Sequence, residues 1–260
     1  MSIYADAIVA RGVGVEYDLR LTHRRTLRRT LGENIQARGR REQTKFWALS
    51  DVTFSARQGD AIGVIGQNGA GKSTLLLAIA GILKPDRGTM QTFGRVSTLL
   101  TLGAGFDPDM TGRENVFLNG AFLGFDREKI EQAFPAIVEF SGLASFIDVP
   151  LRKYSAGMQA RLAFAVASHV DPEILLLDEL LGVGDEEFRQ RSRQRMLELM
   201  AAANVIVLVS HDLAFVRETC TKVLWLHEGQ TAAFGDPASV VARYQTHAAD
   251  APPRLRSVAS

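Results

Sequence analysis

The chain has 260 residues, enough for one large α/β domain or two small ones with a real core, and its 46% hydrophobic and 23% charged residues are ordinary for a globular protein. With 30 Lys and Arg against 29 Asp and Glu the formal net charge is +1, which argues against bulk nucleic-acid binding and makes any basic function local. The single cysteine, Cys220, excludes an intrachain disulfide and reads as a buried, inert thiol suited to a reducing compartment.

The first ten residues carry Asp6 and no basic start before an apolar run, so no secretory signal is expected. No apolar stretch reaches the ~18 to 20 residues that a bilayer crossing needs. Residues 8–17 alternate and are β-branched enough for an opening strand, whereas residues 19–45 are arginine-rich and interrupt the pattern like an insertion. Within it Leu27, Leu31 and Ile35 recur four apart, so a helix over residues 22–35 would carry a narrow apolar stripe beside arginine-rich faces. Such a helix suits an anionic membrane surface or a pyrophosphate group; equally, it is a solvated basic face that packs its leucines on the core.

Strand character resumes over residues 48–54 and again over the short apolar run 61–65, which enters a glycine-rich loop. Leu75, Leu76, Ile79 and Leu83 then recur at helical spacing until Pro85. Between residues 106 and 170 the apolar positions, among them Val116, Leu118, Phe122, Ile130, Phe134, Ile137 and Phe140, predict amphipathic helices, read as a helical subdomain inserted in an α/β core. Residues 174–178 and 204–210 are apolar runs of the kind buried on both faces of a parallel sheet. Residues 224–226 and 231–234 flank Glu228, Gly229 and Gln230 and predict a hairpin. Asp236 is placed as an N-cap before Pro237, opening a short helix to about Tyr244, and the tail with Pro252 and Pro253 is expected to be disordered.

The strongest motif joins the third strand to the first helix. Gly66, Gln67, Asn68, Gly69, Ala70, Gly71, Lys72 and Ser73 form a complete G-x-x-x-x-G-K-[ST] pattern, followed by Thr74. Glycines let the backbone wrap closely around phosphates, so that consecutive N–H groups and the positive end of the following helix face the anion. Lys72 is placed to reach the β and γ phosphates of ATP, and the Ser73 hydroxyl to hold Mg²⁺. Asp178 and Glu179 close the strand at residues 174–177, where a parallel sheet delivers its ligands. Asp178 is read as a Mg²⁺ ligand, directly or through water, and Glu179 as the group that orients or deprotonates the attacking water.

Tyr154, Ser155, Ala156, Gly157 and Met158 resemble the signature motif of ABC proteins, usually written LSGGQ, with Ala156 in place of the first glycine and Met158 in place of the glutamine. Ser155 can cap a helix whose positive end, beside Gly157, faces a phosphate. In ABC proteins that phosphate belongs to ATP held by the other subunit, so the resemblance implies a head-to-tail dimer with two shared sites. It also implies that Asp185, after Gly182, Val183 and Gly184, is the acid of the loop that communicates between sites, and that His211 is the switch histidine at the γ-phosphate. Lys72, Glu179 and His211 are then the catalytic set. Tyr17 matches the place of the aromatic that stacks on adenine, although Phe46 and Trp47 lie nearer the phosphate loop in sequence. The glutamine that senses Mg²⁺ in the family is missing from residues 99–106, where Thr101 or a water could substitute.

Leu102, Gly103, Ala104, Gly105 and Phe106, followed by Thr111, Gly112, Arg113, Glu114 and Asn115, resemble one branch of that family. These are the ATP-binding subunits that export bacterial surface polysaccharides: O-antigen, capsule, teichoic acid or galactan chains, usually on a polyprenyl pyrophosphate lipid. The resemblance covers residues 8–244. It implies a P-loop ABC nucleotide-binding domain over residues 1–245, with a RecA-like core sheet (1–95 and 171–245) and an inserted helical subdomain (106–170), leaving 246–260 as a tail. The implied activity is ATP hydrolysis with Mg²⁺. The implied partners are a second copy, a polytopic permease at the cytoplasmic face of the bacterial inner membrane, and the lipid-linked polysaccharide, with no nucleic acid. A motor for another transporter, or a soluble ABC ATPase, stays open at this point.

Overall fold

A computed structural model describes residues 6–18, 45–98, 103, 105–169, 172–178 and 185–250. The first 13-residue strand, β1 (Asp6–Asp18), pairs antiparallel with β2 (Lys45–Arg57), so residues 19–44, outside the described set, connect the two strands of a hairpin. β4 (Arg87–Thr92) pairs on the other side of β1. The parallel part of the sheet is built from β3 (Ala61–Ile65), β5 (Val96–Thr98), β6 (Ile174–Leu177) and β7 (Val205–Val209), joined by β8 (Lys222–His227). β9 (Gln230–Gly235) returns antiparallel to β8 and meets β2, giving a nine-stranded sheet in the order β4-β1-β2-β9-β8-β3-β7-β6-β5 among the described residues.

Strand periodicity explains why the central runs are apolar throughout. In β3, Ile62 and Val64 face one side and pack with Leu75, Leu76 and Ile79 of α1 (Lys72–Ile79), whereas Ala61 and Ile65 face the other and pack with Phe188 and Val216. Leu176 and its neighbours Leu175 and Leu177 divide in the same way. Both faces are covered by helices, so alternation disappears. Full burial of each of these aliphatic side chains contributes roughly 1.5–3 kcal/mol. The second face is covered by α5 (Glu186–Ala202), α6 (Leu213–Thr219) and α7 (Pro237–Asp250).

Between β5 and β6 lie α2 (Gly112–Phe122), α3 (Arg127–Ser141) and α4 (Ala156–Ser168), with their own core of Val116, Ile130, Ile137, Leu151, Leu162 and Val166. The helix α2 opens with a capping box in which the Thr111 hydroxyl accepts from the Glu114 amide while Glu114 accepts from the Thr111 amide. Stacked rings of Phe140 and Phe164, 5.9 Å apart, and the edge contact of Phe164 with Phe188 at 6.0 Å join this layer to the sheet core.

The structure departs from the sequence-based expectations at three places. Helix α1 stops at Ile79 rather than running to Pro85, because the amides of Ile82 and Leu83 both turn back to the Leu77 carbonyl and Gly81 takes φ +71°. The strands β4 and β5 were not anticipated, since β4 lies at a sheet edge, mostly exposed, and carries no apolar alternation. Helix α7 continues past Tyr244 to Asp250, into the stretch expected to be a disordered tail, because Tyr244 and His247 pack against Trp225. Among the described residues no helix is long and apolar enough to cross a membrane.

Candidate functional site

The phosphate loop runs from the carboxyl end of β3 to the first turn of α1. Two of its glycines are required by close approach. A Cβ on Gly66 would lie 2.4 Å from the Leu226 carbonyl oxygen, and one on Gly71, where φ is +101°, would lie 2.5 Å from the Ala48 carbonyl oxygen. Gly71 is the N-cap of α1 and has no side chain to satisfy the first helical amides, so those donors are left facing the loop's concave side. Ala70 is buried and its amide donates to the Gln67 carbonyl, which closes the loop on itself.

Lys72 is buried, and its ammonium donates to the carbonyls of Gly66 at 2.8 Å and Gln67 at 3.1 Å. The charge is therefore held over the loop by the backbone that made it. Next to it, the Ser73 hydroxyl donates to a carboxylate oxygen of Asp178 at 3.5 Å. Two hard oxygen donors side by side, one of them anionic, are what magnesium takes from protein before completing its shell with water and phosphate oxygens. The residues present thus fit a phosphate-bound magnesium ion, which when bound supplies charge neutralisation on the phosphate oxygens.

These groups share one concave site of about 380 Å³, within the range of small-molecule pockets. It is lined by Asn68, Gly69, Gly71, Lys72, Ser73 and Thr74 of the loop and helix, by Asp178 beyond β6, by Val209 and His211 at the end of β7, and by Tyr17, Phe46 and Ala48. The topology accounts for this. β3, β6 and β7 are parallel neighbours, so their carboxyl ends deliver loop, carboxylate and histidine to one edge of the sheet. Behind His211, Asp212 caps α6 by accepting from the amides of Ala214 and Phe215 at 3.0 Å each, which fixes where the strand ends and the helix begins.

Tyr17 and Phe46 are register partners on β1 and β2, and their rings stack on the open side of the site. Trp47 points to the opposite face of β2, where the guanidinium of Arg87 sits 4.3 Å from its ring centre. The sequence alone left these three aromatics unresolved; the period of two along β2 separates Phe46 from Trp47, but with 26 residues between the two strands the register that brings Phe46 to Tyr17 cannot be read from the chain.

Ser155 and Gly157 do not line this cleft. They lie exposed at the start of α4, where Ser155 is the N-cap and its hydroxyl accepts from the Met158 amide at 3.2 Å. Asp185 caps α5 through the Phe188 amide and also faces Arg161 of α4 at 3.5 Å. Glu179, Thr101, residues 182–184 and the basic segment 19–44 lie outside the described residues.

A family profile described as ABC transporter matches residues 49–182. The chain belongs to the ABC transporter family. Its relatives include the O-antigen export system ATP-binding protein RfbB of Klebsiella pneumoniae, 42% identical over 77% of this chain and 82% of that one. RfbB of Myxococcus xanthus is 45% identical over 79% of this chain but only 47% of its own length. The teichoic acids export ATP-binding protein TagH of Lactococcus lactis is 39% identical over 79% of this chain and 44% of its own. The ABC chain therefore spans less than half of two of these relatives. Its fold is that of the ATP-binding subunit of an ABC transporter, with a TM-score of 0.67, 21% identity and coverage of 92% and 93% of the two chains. A dimeric post-hydrolysis ATP-binding cassette bound to ADP and Pi has a TM-score of 0.64 at 19% identity, covering 88% and 98%.

Proposed function

We propose that this chain is the ATP-hydrolysing motor subunit of an ABC exporter that drives lipid-linked polysaccharide across the cytoplasmic membrane. The observation that carries the ATPase reading is the single cleft in which the Lys72 ammonium, the Ser73 and Asp178 oxygens, His211 and a stacked aromatic pair converge. The loop amides and Lys72 would hold the β and γ phosphates, and Ser73 with Asp178 would hold Mg²⁺, whose charge would neutralise the phosphate oxygens. His211 contacts the γ-phosphate. Glu179, next in the chain after Asp178, orients the attacking water and accepts its proton. The adenine base stacks on the aromatic pair.

The cleft lacks Ser155 and Gly157, which sit exposed at a helix N-terminus elsewhere on the same chain. That separation supports a head-to-tail dimer, in which each cleft is completed by the helix start of the partner copy. The polysaccharide part of the reading is supported by its relatives, which are proteins of O-antigen export and teichoic acids export. It places the chain at the cytoplasmic face of the inner membrane, attached through a polytopic permease, with residues 106–170 as the helical subdomain. Depletion of the chain in its host is the direct test. Surface glycan should fall while lipid-linked polymer accumulates inside; normal surface glycan with loss of another cargo would assign the motor to a different transporter.

A further inference from the structure

On the far side of the sheet from the phosphate loop's helix, two histidines meet. His227 ends β8 and is half-buried; His247 lies in the exposed last turn of α7. Their ring centres are 4.7 Å apart with planes at 78°. With metal–nitrogen distances of about 2.0–2.1 Å, two imidazoles on one tetrahedral or tetragonal ion have centres about 4.5–5.2 Å apart. The observed separation falls in that interval.

A second observation points to a polar occupant beside them. Trp225, 6% exposed, lies 5.2 Å from the His247 ring and 6.1 Å from the His227 ring, and its Nε1–H is buried without an acceptor. A buried indole N–H without a partner costs the desolvation of a donor. Water or a small anion on the remaining coordination positions of an ion would accept that hydrogen bond. Tyr244 closes the cluster with an edge contact to Trp225 at 5.6 Å.

We propose that His227 and His247 form a binding site for a divalent transition ion of the zinc or copper type, which clamps α7 to β8. Imidazole nitrogen selects such ions over magnesium or calcium, so the site is chemically separate from the Ser73 and Asp178 oxygens. The ion bridges a strand of the sheet to the last described helix, and its binding therefore stabilises the docking of α7.

The test uses the untagged full chain, freed of metal and nucleotide. Zinc should raise its Tm progressively with free-metal concentration, and copper should quench Trp225 fluorescence in a Trp47→Phe background, the quenching saturating at one equivalent per chain. His227→Ala and His247→Ala should each weaken both effects by at least about tenfold. His247→Gln, at an exposed helix position, keeps the result independent of any folding defect in the His227 variant. Either of two results overturns the site: unchanged affinity in the His247 variants, which places the ion on other histidines, or no Tm shift and no quenching at metal concentrations up to about 100 μM. In the second case the two rings make an aromatic contact and nothing more.

Discussion

Tyr17 and Phe46 face each other across two antiparallel strands with their rings nearly parallel, 6.2 Å between centres and 18° between planes. Both are more than a third exposed, at 37% and 47%. Packing therefore does not account for their position at the mouth of the cleft, and the proposed role of the pair as a platform for the base is open to test. Stacking on an aromatic side chain is worth about 1–3 kcal/mol, so Tyr17→Ala and Phe46→Ala should each weaken ATP binding by about 5- to 150-fold. Tyr17→Phe should bind like the parent. Equal ATP affinity in both alanine variants, measured by calorimetry, would remove the aromatic pair from the site.

Glu179→Gln keeps the shape of the side chain and removes its basicity. ATP binding should persist while hydrolysis falls about 10²- to 10⁴-fold, and the bound nucleotide should trap a dimer visible by light scattering. Wild-type turnover in this variant would mean that another group takes the proton.

Sharing of the two sites has a mixing test. In the proposed head-to-tail dimer, Lys72→Ala would disable a chain's own cleft, and Ser155→Arg would disable the helix start offered to the partner copy. Each homodimer should be inactive, whereas a heterodimer of the two holds one intact site and should regain ATPase activity. Proven heterodimers without any regained activity would count against the head-to-tail arrangement.

Cys220 caps the end of α6, 8% exposed, and burial pushes its thiol pKa up to about 11. At pH 8 the native chain should react with a thiol reagent far more slowly than a free cysteine, and unfolding in urea should release the full rate. Rapid labelling of the native chain would show that α6 opens readily.

The capping box of α2 has a defined pH response. Hydrogen bonds from the Thr111 amide and then the Thr111 hydroxyl hold the Glu114 carboxyl below its ordinary value. A carboxyl depressed in the folded state contributes stability that is fully present above its unfolded pKa and is lost as pH falls through the folded one. Glu114→Gln should therefore be less stable than the parent at neutral pH, and the two urea denaturation curves should converge as pH falls below the ordinary carboxylate range. A difference that stays constant with pH would indicate that the charge of Glu114 contributes nothing.

Local pattern was enough for the parts of this molecule whose geometry is set by neighbours in the chain. The run 61–65, the glycines through Gly71, Lys72 and Ser73 specify strand, loop and helix because Gly69 and Gly71 take φ of +82° and +101°, a local conformation that glycine adopts freely. Ser155 and Asp236 were legible as helix starts for an equally local reason: each accepts an amide three residues ahead. What sequence could not decide is whatever depends on pairing across long separations. The strand register that stacks Phe46 on Tyr17 and turns Trp47 away, the edge strand β4 with no apolar alternation, and the six extra residues of α7 held by Trp225 all rest on contacts between distant segments. Asp178 and His211 were legible as residues, but only the parallel order of β3, β7 and β6 brings both to one edge beside Ser73, because hydrogen bonding between strands, and not proximity in the chain, sets which carboxyl ends are neighbours.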